Sequence, residues 1–321
     1  MKKIFKYRKS AKSFIFDLQE NRKIYLRDLN KKSIDFEKKV PKYKKSVILF
    51  SENSIDFIIS YFCLIQNNFV VFLVNADISN QDINRLISNF KPNYICLPKK
   101  KNSTLNLFKQ KKYNFGSYNL FMLNPNKVNL NDEICLLLPT SGSTGESKFV
   151  KLTYKNILSN ITKIVDYLKI KNNHKTITTL PPEYSYGLSI INTHIYKGAS
   201  IFVNNKSILE SFFWENLKKF EINSFGGVPF TYEILKKINL DAKLERIKSL
   251  KYLTQAGGKL SNELQIYIDK LSKKHKFRFY IMYGSTEASP RMSIMLSGNN
   301  KKLGSIGKPL KGCSFYLKKK K

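Results

Sequence analysis

The stretch Pro139-Thr140-Ser141-Gly142-Ser143-Thr144-Gly145-Glu146-Ser147-Lys148 decides how this 321-residue chain is read. It follows an apolar run, Glu133 to Leu138 (EICLLL), and precedes LTYKNILSNITKIVDYL. In the latter segment Thr153 is placed to cap a helix, and Ile157, Ile161, Ile164, Val165 and Leu168 form one apolar stripe. A loop of small residues between a buried strand and a capped helix presents backbone N–H groups to an anion such as phosphate. Gly142 and Gly145 let the backbone approach closely. Thr140, Ser141, Ser143 and Thr144 add hydroxyl donors, and Lys148 adds charge. The loop is not a Walker motif, because Ser147 stands where that motif requires its second glycine. A flexible surface turn is the other reading of the same composition.

Outward from this loop, apolar runs of strand length alternate with helical patterns, which predicts an α/β fold built on a parallel sheet covered on both faces. Upstream, strands are expected at Ser46–Phe50, Phe69–Val74 and Tyr94–Leu97, with helices at Ile55–Ile65 and Asn80–Phe90. Downstream, a second set of units begins near Ile177, with strands at Ser200–Val203, Ile222–Phe225, Lys251–Thr254 and Phe277–Tyr283. Helices are expected at Ser211–Phe220, from Pro229, and after Ser261, with Leu264, Ile268 and Leu271 inward. There is no internal repeat and no linker rich in proline or glycine.

Composition narrows the function classes. The chain is 42% hydrophobic and 25% charged, which excludes a disordered or fibrous protein. Cys63, Cys96, Cys135 and Cys313 lack CxxC spacing, which excludes a zinc ribbon and a disulfide scaffold and suits a reducing cytoplasm. The window Ile55 to Val74 is the most hydrophobic, yet Asp56 and Gln66-Asn67-Asn68 interrupt it, so no transmembrane segment is expected. Fifty-seven basic residues face twenty-three acidic ones, a net charge of +34. Only seven of these are arginine, and the lysines are scattered among abundant asparagine and isoleucine. Dispersed solvated lysine is therefore expected and no specific nucleic-acid partner, since no zinc-finger, KH or RRM signature appears. A charge-driven nucleic-acid binder is the competing class; its binding would fall steeply with salt.

A second candidate is Tyr283-Gly284-Ser285-Thr286-Glu287, at the carboxyl end of a predicted strand, the edge where open α/β sheets bind ligands. There an aromatic ring can stack on a base, a hydroxyl can donate to a phosphate oxygen and a carboxylate can hold Mg²⁺. Alone, the run also reads as a plain turn.

Together, TSGSTGESK and the later YGSTE resemble the adenylate-forming superfamily of acyl-CoA synthetases, luciferases and peptide-synthetase adenylation domains. Four intervening or following stretches agree in order: LPPEYSYGLS (Leu180–Ser189), GGVPFTYEIL (Gly226–Leu235), YLTQAGGKL (Tyr252–Leu260) and GSIGKPLKG (Gly304–Gly312). The resemblance implies an N-terminal AMP-binding domain with two stacked αβ subdomains and the start of a small β-barrel. Residues 1–175 would form the first lobe with the phosphate loop, 176–303 the second, and 304–321 would lead into the barrel.

It also implies roles. Thr140, Ser141, Gly142, Ser143, Thr144, Gly145 and Lys148 would wrap the β- and γ-phosphates of ATP. Tyr283 would stack on adenine above Gly257 and Gly258, beside Gly284; Thr286 would hold the α-phosphate and Glu287 the Mg²⁺. Tyr184 stands where many members have histidine, between the acyl and thiol tunnels, and Tyr186, Gly187, Phe225 and Gly258 would border the acyl group. Tyr184, Tyr186 and Phe225 read equally well as core packing. Amino-acid-activating members place an aspartate near Glu183-Tyr184, so tyrosine argues against an amino-acid substrate while Glu183 leaves room for one. The implied reaction activates a small carboxylic acid as acyl-adenylate and passes it to CoA or to a carrier-protein phosphopantetheine, in the manner of ligases of surface-polysaccharide or lipid metabolism.

The superfamily's ribose-gripping acid, hinge and C-terminal domain with its catalytic lysine are not found in the 321 residues. The expectation is a truncated chain, a split one completed by a separate C-terminal polypeptide, or a catalytically inactive nucleotide-binding remnant.

Overall fold

The computed structural model describes residues 4–5, 12–104, 110–126, 129–140 and 148–317. Along the chain lie β1 (Phe14–Asp17), β2 (Arg22–Tyr25), α1 (Leu26–Glu37), β3 (Lys45–Ser51), α2 (Ile55–Gln66), β4 (Phe69–Asn75), α3 (Asn80–Phe90) and β5 (Tyr94–Pro98). There follow β6 (Gln110–Asn114), β7 (Tyr118–Met122), β8 (Ile134–Pro139), β9 (Phe149–Thr153), α4 (Tyr154–Leu168), β10 (Lys175–Ile177), α5 (Ser185–Lys197) and β11 (Ser200–Val203). The rest comprises α6 (Ser211–Lys219), β12 (Ser224–Gly227), α7 (Pro229–Lys237), α8 (Leu240–Glu245), β13 (Tyr252–Gln255), α9 (Asn262–Lys274), β14 (Arg278–Gly284), β15 (Arg291–Leu296) and β16 (Lys308–Pro309).

Among the described residues the strands form two sheets, ordered β6-β7-β5-β3-β4-β8-β9 and β16-β15-β14-β13-β12-β10-β11-β1-β2. The centres are parallel, as the alternating pattern predicts, but the edges are antiparallel: β6, β7 and β9 in the smaller sheet and β2, β15 and β16 in the larger. The wholly parallel expectation is corrected there, because short hairpin returns need no crossover helix. No closed barrel forms among the described residues; Lys308–Pro309 instead adds an edge strand to β15.

The layers follow from the apolar patterns. α2 is buried along its whole length, and it shares one core with α1, α4, α5 and strands of both sheets. The outer face of the larger sheet is covered by α6, α7, α8 and α9, and that of the smaller by α3. Thr153, Ser79 and Ser261 cap α4, α3 and α9 through side-chain oxygens that accept N–H groups of the first turn. Residues 14–25 pair with β11 of the larger sheet, so the N-terminal hairpin joins the layer formed by residues after 175.

That hairpin is tied to the central layer by charge. Asp56, buried at the start of α2, forms an ion pair with Arg22, Nη2 to Oδ1 at 2.7 Å, and accepts from the Ser117 N–H at 2.6 Å. Replacing it strands a backbone donor and frees a cation. Asp56→Ala should lower the unfolding free energy by about 2–3 kcal/mol, seen as a lower urea midpoint at unchanged slope.

Candidate functional site

The phosphate-loop candidate sits at the tip of a β-hairpin. Phe149-Val150-Lys151-Leu152-Thr153 pairs antiparallel with β8, and the Thr140 N–H donates to the Lys148 carbonyl at 2.9 Å, closing the loop's base. The expectation of a loop running directly from strand to helix is thereby corrected: β9 intervenes, so α4 does not supply its N-terminus to the loop. Ser141, Gly142, Ser143, Thr144 and Gly145 lie outside the described residues. Thr140 does not: it reaches a cleft of about 880 Å³.

The opposite wall of that cleft is the tip of β14. Tyr283, Gly284, Ser285, Thr286 and Glu287 all line it. Tyr283 is 46% exposed, with its ring edge-on to Phe315 at 6.4 Å, and thus offers an uncovered face. Gly284 is required there: a Cβ would collide with the Pro290 carbonyl where β14 and β15 shift register. Thr286 opens a single helical turn, and its Oγ1 lies 3.2 Å from Ser185 Oγ at the start of α5. The floor is formed by Gly257 and Gly258 after β13, with Tyr184 and Tyr186 beside them. Gly257 has φ +83°, and a side chain there would strike the Tyr184 hydroxyl.

Two connections hold the walls together. The buried amide of Asn160 on α4 donates to the carbonyls of Arg291 (2.8 Å) and Ala288 (3.4 Å), tying the helix that follows the hairpin to the β14–β15 tip. Glu183 accepts from Ser51 Oγ and Asn75 Nδ2, both at 2.6 Å, at the carboxyl ends of β3 and β4. Its carboxylate is thus engaged with the smaller sheet.

Three candidates stand apart from the cleft. Phe225 is buried in the outer core against Phe213 and Trp214. Gly187 lies in the first turn of α5, where a Cβ would collide with the Pro181 carbonyl. Lys148 is exposed at the hairpin base and does not line the cleft. Conversely, Ser185, Lys259, Gln265, Ser305 and Arg291 line it without having been picked out. Arg291 had a signal: it follows YGSTE by a few residues, in a chain whose cations are nearly all lysine.

A model of the AMP-binding enzyme family matches residues 39–321. The chain belongs to that family. Luciferin 4-monooxygenase of Photuris pensylvanica is 26% identical over 188 residues, 57% of this chain and 33% of that protein. 2-Succinylbenzoate–CoA ligase of Lactococcus lactis is 25% identical over 280 residues, 85% of this chain and 58% of that one. ATP-bound MatB from Rhodopseudomonas palustris matches with a TM-score of 0.76 at 16% identity, over 96% of this chain and 63% of that structure. The fold is accordingly that of the N-terminal part of adenylate-forming enzymes, and this AMP-binding chain spans only part of each relative's length.

Among the described residues no helix is long and apolar enough to cross a membrane, and no three acidic, histidine or cysteine groups cluster to hold a metal. Among the described residues lining the cleft Glu287 is the one acidic group, and a carboxylate there suits Mg²⁺, which keeps waters and takes its other oxygens from a substrate's phosphates.

Beneath the cleft lies His194, fully buried, with Nδ1 2.8 Å from the Ile190 carbonyl and Nε2 3.5 Å from the Tyr252 hydroxyl. Burial pushes its pKa down to about 4. Between that value and the ordinary 6.5 the unfolded chain binds a proton that the folded chain refuses, so stability present above pH 6.5 is lost as pH falls towards 4. This one group should contribute a loss of about 3 kcal/mol over that range. Denaturant midpoints measured from pH 7 to pH 4.5 should show that acid limb, and His194→Gln should reduce it, the part that remains belonging to His174, which burial likewise pushes down to about 4.

Proposed function

We propose that this AMP-binding chain holds magnesium ATP in the cleft between the β8–β9 hairpin and the β14 tip, and activates a carboxylic acid as an acyl-adenylate for transfer to a thiol. The observation that carries this reading is the meeting of Thr140 and Tyr283–Glu287 across one cleft over the Gly257-Gly258 shelf. The shared family and the acid named in the 2-succinylbenzoate–CoA ligase relative support the acid–thiol ligase class.

In this reading Tyr283 packs on the adenine, whose plane passes close to the side-chain-free backbone of Gly257 and Gly258. Thr286 donates its hydroxyl to the α-phosphate, with Ser185 Oγ holding that hydroxyl in place. The loop 140–145 takes the β- and γ-phosphates, with Lys148 adding positive charge from the hairpin base outside the cleft lining, and Glu287 would hold the Mg²⁺. When bound, the metal supplies positive charge to the phosphates. The substrate carboxylate needs no base, being ionised at neutral pH; its oxygen attacks the α-phosphorus as the bond to pyrophosphate breaks. A thiol of CoA or of a carrier-protein phosphopantetheine then attacks the acyl carbon and AMP leaves. The chain's contribution is to position the reactants and to balance charge that shifts between phosphate oxygens. Tyr184 and Tyr186 border the acyl end, where the ring of Tyr186 is fixed by its hydroxyl 2.7 Å from both the Thr254 carbonyl and Thr254 Oγ1.

Acid-dependent exchange of labelled pyrophosphate into ATP tests the proposal. Glu287→Gln should reduce that exchange by roughly 10²–10³-fold and raise the magnesium requirement, and Thr286→Ala should reduce it by about tenfold or more. Nucleotide binding with no exchange for any acid would leave a nucleotide-binding protein without adenylation. Absence of ATP and AMP binding by calorimetry would end the reading altogether.

A further inference from the structure

We propose that Arg291 forms an anion subsite at the floor of the cleft, so that the acid activated here is a short dicarboxylate whose second carboxylate meets this guanidinium. The proposal rests on the ligase reading above and adds the substrate class.

Arg291 begins β15 and is 3% exposed. One Nη2–H donates to Ser189 Oγ at 2.9 Å, and the guanidinium carbon lies 5.0 Å from the centre of the Tyr186 ring. Its Nε and Nη1 are buried and have no hydrogen-bond partner among the described residues. No ion pair to Arg291 within 4 Å is found among them either. Arginine does not discharge to escape burial, as a lysine or histidine can, so a buried guanidinium with idle donors is a standing electrostatic demand for an anion. The planar fork matches a carboxylate in particular.

The side chain borders the cleft on one side. On the other lies a small cavity of about 10 Å³, lined among others by Ile190, His194, Tyr252 and Thr254. A space of that size holds one water at most. Arg291 therefore stands at the end of the acyl side instead of opening a tunnel, and the hydroxyls around it are engaged within the chain: that of Tyr186 with Thr254, and that of Tyr252 3.5 Å from His194 Nε2. A long hydrocarbon chain would leave the idle guanidinium donors unpaired. A short acid with a second anionic end would satisfy them.

The test is calorimetric titration of the full chain with succinate and, separately, with butyrate, each with and without saturating AMP. Wild type should bind succinate at least about tenfold more tightly than butyrate, and Arg291→Met should weaken succinate by roughly 10–100-fold, the range of a charge-assisted pair. In that variant butyrate and AMP affinities should stay within about twofold, and the melting temperature should hold or rise, because an uncompensated buried charge has been removed. Arg291→Lys should keep part of the preference. Equal binding of the two acids by wild type overturns the proposal, as does a succinate preference that survives in Arg291→Met. So does a sharp fall in melting temperature that Arg291→Lys restores with no preference for succinate, since that marks a packing role against Tyr186. Failure of AMP to bind while succinate is still preferred separates loss of the nucleotide reading from loss of this one.

Discussion

Everything in the cleft depends on one buried amide. Asn160 projects from α4, the helix that follows the β8–β9 hairpin, and donates to the carbonyls of Ala288 and Arg291 just beyond the β14 tip. The hairpin belongs to the smaller sheet and the tip to the larger. Segments about 140 residues apart in sequence face each other because this helix, lying between the sheets, bonds to the turn that carries Thr286 and Glu287. The amide fixes position without adding charge, leaving Glu287 as the acidic group among the described residues of the cleft wall.

Around that contact the molecule divides its polar groups by task. Asp56 with Arg22 and Glu183 with Ser51 and Asn75 are structural: their oxygens are taken up by partners within the chain, and they fasten layers or sheets together. Thr286, Tyr283 and Lys259 face the cleft, and Arg291 holds donors that the described residues do not use. A buried polar group fully bonded at home is scaffold; one with idle donors beside a cavity is directed at something else.

Much of this was legible in the letters. Strand Ser200–Val203, helix Asn80–Phe90 and the Thr153 and Ser261 caps are found as read, because their apolar runs and capping residues are local signals. Three kinds of feature were not legible. α5 is buried along most of its length and so has no polar face to give it a period. β9, β15 and β16 are short antiparallel edges whose pairing is decided by neighbours distant in sequence. The surroundings of Arg291 (Ser189, Tyr186 and the small cavity) are visible only in the folded chain. Phe225 is open to two readings in the sequence, acyl pocket or packing; its ring packs against Phe213 in the outer core, and the residue also lines the small cavity beside Arg291.

The central claim is that one nucleotide is held by the hairpin tip and the strand tip together. Hydrogen–deuterium exchange of the full chain with and without saturating magnesium ATP tests it most directly. Slowed exchange in both 139–149 and 283–291, with the outer helices α6 and α8 unchanged, is the predicted result. Protection confined to one of the two segments, or found in neither while ATP is demonstrably bound, would contradict the account.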